Sequence, residues 1–153
     1  MKEYGVRDVV CAVLEMMGGR IVGLKKLTKL LFLTQYVIYK DAASGQIKAV
    51  KYLYGGNPIT RAEFYIWTFG PMSNEVYDAV DELEGEGVVE ISGDLNAVVI
   101  VLKGERAPEV PEPVRRRIRD VVRKYGGLKG WEPVRRYGNR PSATYNLRRD
   151  SQH

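Results

Sequence analysis

Phe64-Tyr65-Ile66-Trp67-Thr68-Phe69-Gly70-Pro71-Met72-Ser73-Asn74-Glu75-Val76-Tyr77 opens the stretch, ending at Leu102, whose reading decides the fold. Gly70-Pro71 marks a turn, since glycine permits unusual backbone angles and proline fixes φ. Ser73 is the expected N-cap of a helix, with Asn74 and Glu75 in its first turn. Met72, Val76, Ala79, Val80 and Leu83 fall on one face at helical spacing, and Glu75, Asp78, Asp81, Glu82, Glu84 and Glu86 fill the rest. Gly85 and Gly87 stop the helix. Val88 to Ile91 and Ala97 to Leu102 then read as two strands around the turn-rich Ser92-Gly93-Asp94-Leu95-Asn96. Just before this helix, Thr60 and Glu63 have capping-box spacing, yet Phe64 to Trp67 also suits a strand. The residues leave both readings open.

Two apolar-striped helices lie upstream. Val6, Val9, Val10, Val13, Leu14 and Met17 predict a helix over about residues 5–17, ended by Gly18-Gly19. Leu24, Leu27, Leu31, Val37 and Ile38 predict a second, with Lys25, Lys26 and Lys29 on its wetter side. Asp41 to Gln46 reads as a loop, residues 47–60 are weakly patterned, and Gly55-Gly56-Asn57-Pro58 is a turn. Helix, helix, helix, hairpin is the order of a winged-helix module, in which the third helix commonly reads DNA. Here that helix carries six carboxylates and no basic residue, which sets it against the negative field of a duplex.

Downstream, Lys103 to Pro113 contains three prolines and reads as a linker or strap. Pro113 suits the first position of a fourth helix striped by Val114, Ile118, Val121, Val122 and Tyr125 and ended by Gly126-Gly127. Arg115, Arg116, Arg119 and Arg123 project opposite that stripe. Trp131, Val134 and Tyr137 predict a short final helix begun by Glu132-Pro133, and the tail past Asn146 is expected to fray. The fold class expected is mostly α with a small antiparallel β-hairpin (α+β). It comprises a loosely winged-helix-like core over residues 1–104 and a basic C-terminal helical appendage, residues 105–153, packed on the same domain.

Charge divides along the same line. Residues 1–104 hold 11 Lys/Arg against 13 Asp/Glu, a net of −2; residues 105–153 hold 13 against 6, a net of +7. Such asymmetry fits a polyanion, an acidic protein partner, or internal pairing with the acidic helix. With 44% apolar and 28% charged residues, the composition is that of a globular chain rather than a disordered one.

The residue inventory narrows the chemistry. The single histidine, His153, is the last residue, and the single cysteine, Cys11, lies in an apolar helical pattern as a buried small hydrophobe would. Ser-His-acid and Cys-His catalysis therefore lack their parts, as do metal sites built from histidines or paired thiols. No phosphate loop is present, because Gly85-Glu86-Gly87 follows a helix where a nucleotide fingerprint follows a strand. Glu82 and Glu86 stand four apart, but any acidic solvated face gives that spacing. No enzyme, cofactor or metal is expected. Glu3, Asp8 and Glu15 interrupt any leader-like apolar run, and Leu30 to Tyr39 is too short to span a bilayer, so a cytoplasmic chain without membrane contact is expected.

Two sets of candidate contact residues remain. Aromatic side chains crowd the middle of the chain, and Phe64, Trp67 and Tyr77, with the carboxylates Glu75, Asp78 and Glu82, are candidates for a protein interface. Arg115, Arg116, Arg119 and Arg123 are candidates for nucleic-acid phosphate or an acidic surface, against the plainer reading of a solvated face.

A family resemblance enters on two segments. Leu27-Thr28-Lys29-Leu30-Leu31-Phe32-Leu33-Thr34-Gln35 resembles the opening "lqKLLyfaq" helix of the Panacea domain, a phage- and plasmid-associated domain found in many toxin-neutralising antitoxins. Phe64 to Tyr77 is similar to that family's "f-x-x-W-x-x-G-P-v-x-x-x-v-Y" signature, with Trp67, Gly70, Pro71 and Tyr77 at matching spacing. The resemblance covers about residues 6–90; beyond it, Trp131-Glu132-Pro133 lacks the histidine that family members often carry near a proline-tryptophan element. It implies a mostly helical, non-catalytic interaction module that holds a toxin or adapts a client for proteolysis. The expected partner is thus a protein, toxin or client, with a homodimer compatible. The second expectation is a DNA-binding regulator contacting phosphates through its C-terminal arginines. On physical grounds Trp67 is expected to pack over the Gly70-Pro71 junction, and Leu31 and Phe32 to share a core with Val76 and Val80.

Overall fold

A computed structural model describes residues 5–67, 70–93, 98–104, 110–127 and 146–147. The element order begins α1 (Val6–Met16), β1 (Arg20–Val22), α2 (Leu24–Gln35), β2 (Tyr36–Lys40) and β3 (Ile47–Lys51). It continues with β4 (Leu53–Tyr54), β5 (Asn57–Pro58), β6 (Tyr65–Trp67), β7 (Gly70–Met72) and α3 (Asn74–Gly85). β8 (Val89–Ser92), β9 (Val99–Leu102), α4 (Glu112–Tyr125) and β10 (Asn146–Leu147) complete it. The architecture is mixed α/β, with four helices and several short, mostly antiparallel strands among the described residues. Strand is thus more abundant than the expected single hairpin.

α1 is the central helix. Val9 to Leu14 are all buried along it, Cys11 included, and α2, α3 and α4 each pack against it. Leu27, Leu31 and Phe32 of α2, Val76 and Val80 of α3, and Val114, Ile118 and Val121 of α4 join the same core cluster. Each such fully buried aliphatic or aromatic side chain contributes roughly 1.5–3 kcal/mol over leaving it in water.

The second helix is shorter than its spacing predicted. It ends at Gln35, and Tyr36 turns directly into extended backbone, with φ −130° and ψ 146°. Val37 and Ile38, placed on the helix by the spacing, instead alternate in β2, Val37 outward and Ile38 inward. Their β-branched side chains favour a pleated strand once a partner exists, and β3 supplies one, pairing antiparallel from Tyr36↔Lys51 to Lys40↔Ile47. β10 joins the far edge of β3 in parallel, Asn146 opposite Lys48 and Leu147 opposite Ala49, so Leu147, the first residue of the tail expected to fray, is paired.

The segment left open before α3 is a strand: β6 pairs with β7, Trp67 opposite Gly70. Thr60 is no helix cap. Its hydroxyl donates to Gln35 Oε1 and accepts from the Ala62 amide at 3.1 Å, joining the loop to the end of α2. Gly70 is buried at φ 117°, a backbone state that any side chain would strain. Met72, expected on the α3 face, belongs to β7.

β8 and β9 form the expected hairpin, with Ile91 opposite Ile100, and acquire a third strand the pattern did not announce. β1 pairs antiparallel with β9, Arg20 to Val101 through Val22 to Val99, giving the order β1-β9-β8. Gly23 at φ 99° turns the chain from β1 into α2 while its amide donates to the Val98 carbonyl at 2.7 Å. α4 starts behind Pro111 with Pro113 in its first turn. The predicted final helix around residues 131–137 lies outside the described residues. No described helix is long and apolar enough to cross a membrane.

Candidate protein-interaction surface

α3 is fixed at its start by local bonds. Ser73 Oγ accepts from the Val76 amide at 3.4 Å and donates to Glu75 Oε1 at 3.2 Å. Glu75 Oε1 also accepts the Glu63 amide at 2.9 Å. Glu75, a predicted contact residue, is therefore committed to holding the preceding loop against the helix. Tyr65 donates its hydroxyl to Asn74 Oδ1 at 3.1 Å, tying β6 to the same end.

The outer surface of α3 divides by angle. Val76, Ala79, Val80 and Leu83 face the core. On one flank Arg7 of α1 reaches Glu82 at 3.5 Å and donates to Glu86, and the Glu86 hydrogen bond is the main influence holding its guanidinium above its ordinary pKa. Glu82 is thus half answered from within. At 100° per residue, Asn74, Tyr77, Asp78, Asp81 and Glu84 share the remaining face. Asp78, Asp81 and Glu84 are exposed, and none has an ion-pair partner among the described residues.

The hairpin β6–β7 borders this face. Tyr77 is half-buried, and burial first, then neighbouring Tyr65, raise its phenol pKa. Trp67 is 48% exposed and lies tilted against Tyr65 with ring centroids 5.5 Å apart. In the β6–β7 register it stands opposite Gly70. Phe64 does the opposite: it is buried, edge-on to Phe32 at 5.6 Å and Tyr36 at 6.1 Å, so it is core rather than contact surface. In a strand, neighbours on opposite faces differ this sharply, and period alone does not say which one faces in.

The arginines of α4 are partly matched. Arg115 bonds Glu15 of α1 at 3.2 Å, Arg119 lies 3.5 Å from Glu112, and Arg123 lies 3.9 Å from Asp120. Arg116 is exposed and has no ion-pair partner among the described residues. None of these four reaches an α3 carboxylate, so internal pairing of stripe and acidic helix does not occur among the described residues.

The arginine that sequence reasoning passed over is Arg117. It donates to the carbonyls of Leu33 at 2.9 Å, Thr34 at 3.1 Å and Tyr36 at 3.0 Å, capping the C-terminus of α2, and its guanidinium stacks 4.5 Å over the Tyr52 ring. Burial lowers its pKa, while Tyr52 and Tyr125 oppose that shift. A signal was there: Arg117 stands on the other flank of the apolar stripe from Arg115, Arg119 and Arg123.

Beside Arg117 a cleft of about 240 Å³ opens between β2 and α4, walled by Leu33, Tyr36, Val37, Val121 and Tyr125. Lys124 sits 5.4 Å over the Tyr125 ring. No group of three or more His, Cys, Asp or Glu side chains suited to a metal ion occurs among the described residues. Comparisons with protein-family models, curated proteins and solved structures find no match to this chain.

Proposed function

We propose that this chain is a non-enzymatic protein-binding module, antitoxin-like or adaptor-like, whose toxin or client partner seats on the outer face of α3 and the β6–β7 hairpin. The observation that carries this reading is a half-exposed Trp67 on β6, the strand that Tyr65 ties to the start of α3, a helix whose exposed Asp78, Asp81 and Glu84 have no ion-pair partner among the described residues. Aromatic anchors beside polar groups are what protein interfaces favour. Of the positions that carry the Panacea resemblance, Trp67 and Tyr77 have at least part of their side chains at the surface, while Gly70 and Pro71 are buried in β7.

A DNA-binding regulator is the second reading, favoured by the topology. α1, β1, α2, α3, β8 and β9, with β1 paired to β9, follow winged-helix order, with residues 36–72 inserted between α2 and α3. The side chains oppose it. In that arrangement α3 would enter the groove, bringing Asp78, Asp81 and Glu84 to the phosphates. Three of the four α4 arginines already have carboxylates within 4 Å.

The test is co-expression of the full chain with the product of the neighbouring gene, followed by capture. A complex that forms with wild type and is lost in Trp67→Ala is expected. Absence of a complex, together with a salt-sensitive DNA shift abolished by changing Arg115, Arg116, Arg119 and Arg123 to glutamine, would replace this reading with the second.

A further inference from the structure

The outer face of the β1-β9-β8 sheet departs from an ordinary solvated face. Ile21, Ile100 and Ile91 stand side by side and point into the core, and α1, α2 and α3 pack against these strands. Alternation sends the two neighbouring rows outward. In one, Val101 lies between Arg20 and Glu90; in the other, Val99 lies between Val22 and Ser92. Such positions are normally polar when a sheet faces water. Here three of these six residues are valine, with Val22 48% exposed and Val99 and Val101 half-buried. Strand preference alone would accept threonine, which keeps a surface wet.

The charges sit at opposite margins of the first row. Arg20 on β1 and Glu90 on β8 are two strand spacings, roughly 10 Å, apart. Arg20 is exposed and has no ion-pair partner among the described residues. Glu90 meets Lys103 at 3.7 Å, but both side chains are more than half exposed, so that pair contributes little. A positive margin, an apolar centre and a negative margin make the row complementary to its own copy turned about the β9 direction. Under that two-fold, Arg20 of each copy meets Glu90 of the other, Val101 meets Val101 and Val99 meets Val99. An occupant of a single charge sign would satisfy one margin and oppose the other.

We infer that this face takes a second copy of the chain, in a two-fold dimer with the valines at its centre and Arg20–Glu90 pairs at its rim. Facing sheets stand about 10 Å apart, a gap that an arginine and a glutamate side chain span together. Strands this short cover on the order of 200 Å² in plan, well below the ~800 Å² per partner of a standard stable interface. The dimer is therefore a concentration-dependent one. Nothing in it depends on what α3 binds.

The test is sedimentation equilibrium of the full chain from micromolar to millimolar concentration. A reversible dimer is expected for wild type. Arg20→Glu and Glu90→Arg each set like charges against one another at both rims, and each should weaken the dimer at least about tenfold. An equimolar mixture of the two variants should associate as wild type does, because every rim contact of the mixed pair again joins opposite charges. Repair within one chain cannot produce that result. Val101→Thr, which keeps the strand preference and wets the centre, should weaken the dimer too, and it serves if a charge change fails to fold. Variants that associate like wild type, or a mixture no more associated than its components, overturn the inference. A wild type that stays monomeric throughout also overturns it, and leaves the face to a partner of another kind.

Discussion

The two charged helices face opposite tasks. α4 turns two of its arginines into the molecule: Arg117 caps α2 through three carbonyls, and Arg115 clasps Glu15 on α1. α3 leaves Asp78, Asp81 and Glu84 facing solvent. From sequence alone both charge runs were candidate contact surfaces. The difference teaches that a charge run becomes informative only once its internal partners are subtracted.

Arg117→Met gives the sharpest test of that contrast. The change leaves carbonyls at the end of α2 without their donor and removes the stack on Tyr52. A loss of about 3 kcal/mol in urea unfolding is expected, as for breaking a partly buried charged hydrogen-bond set. A loss below about 0.5 kcal/mol would make Arg117 as peripheral as its neighbours and dissolve the contrast.

Ser73→Ala probes how the acidic helix is held. Loss of the cap should cost about 1 kcal/mol, read by the same denaturation, and would show that the exposed face rests on a locally fixed helix start. Arg115→Gln should cost about 0.5 kcal/mol and Arg116→Gln nothing measurable, since one has a half-exposed ion pair and the other none among the described residues. Equal effects would mean that the Glu15 pair is ornamental.

Asp41 offers the smallest effect and a carboxylate that is matched. Hydrogen bonds from the Ser44 hydroxyl at 2.8 Å and amide at 3.0 Å, then Lys48, hold its pKa below the ordinary carboxylate value. A depressed folded-state pKa stabilises above the unfolded value and stops doing so as pH falls through the folded one. The Tm advantage of wild type over Asp41→Asn should therefore be present at neutral pH and vanish on acidification below the ordinary carboxylate range. An advantage that persisted in acid would assign it to shape rather than charge.

Much of this was legible from residues. Ser73 as cap, the glycines after α1 and α3, the α4 stripe and the 89–102 hairpin follow from local rules that the tertiary fold left intact. The failures are equally physical. Ile38 lies seven residues beyond Leu31, so a strand residue fell on the helical period by coincidence. β1 is three residues long, too short to display alternation, and exists because β9 lies beside it. Phe64 and Trp67 look alike until the strand and its neighbours decide which ring faces Phe32. Arg117 was hidden in a run of three arginines whose identities are the same and whose directions differ.

The pairing of β1 with β9 also governs when the chain can become a protein. Arg20 to Val22 emerge early in synthesis, yet the strand they join is not made until Val99 to Val101. Until then α1 and α2 carry apolar faces and an unpaired strand edge, with Val22 on it, and closing so long a loop is slow. A nascent chain halted at Ser92 would hold most of its core residues and lack the strand that closes them. Such a chain is the species a cell's chaperones would meet, and its lifetime depends on how quickly translation delivers one short run of valine and isoleucine.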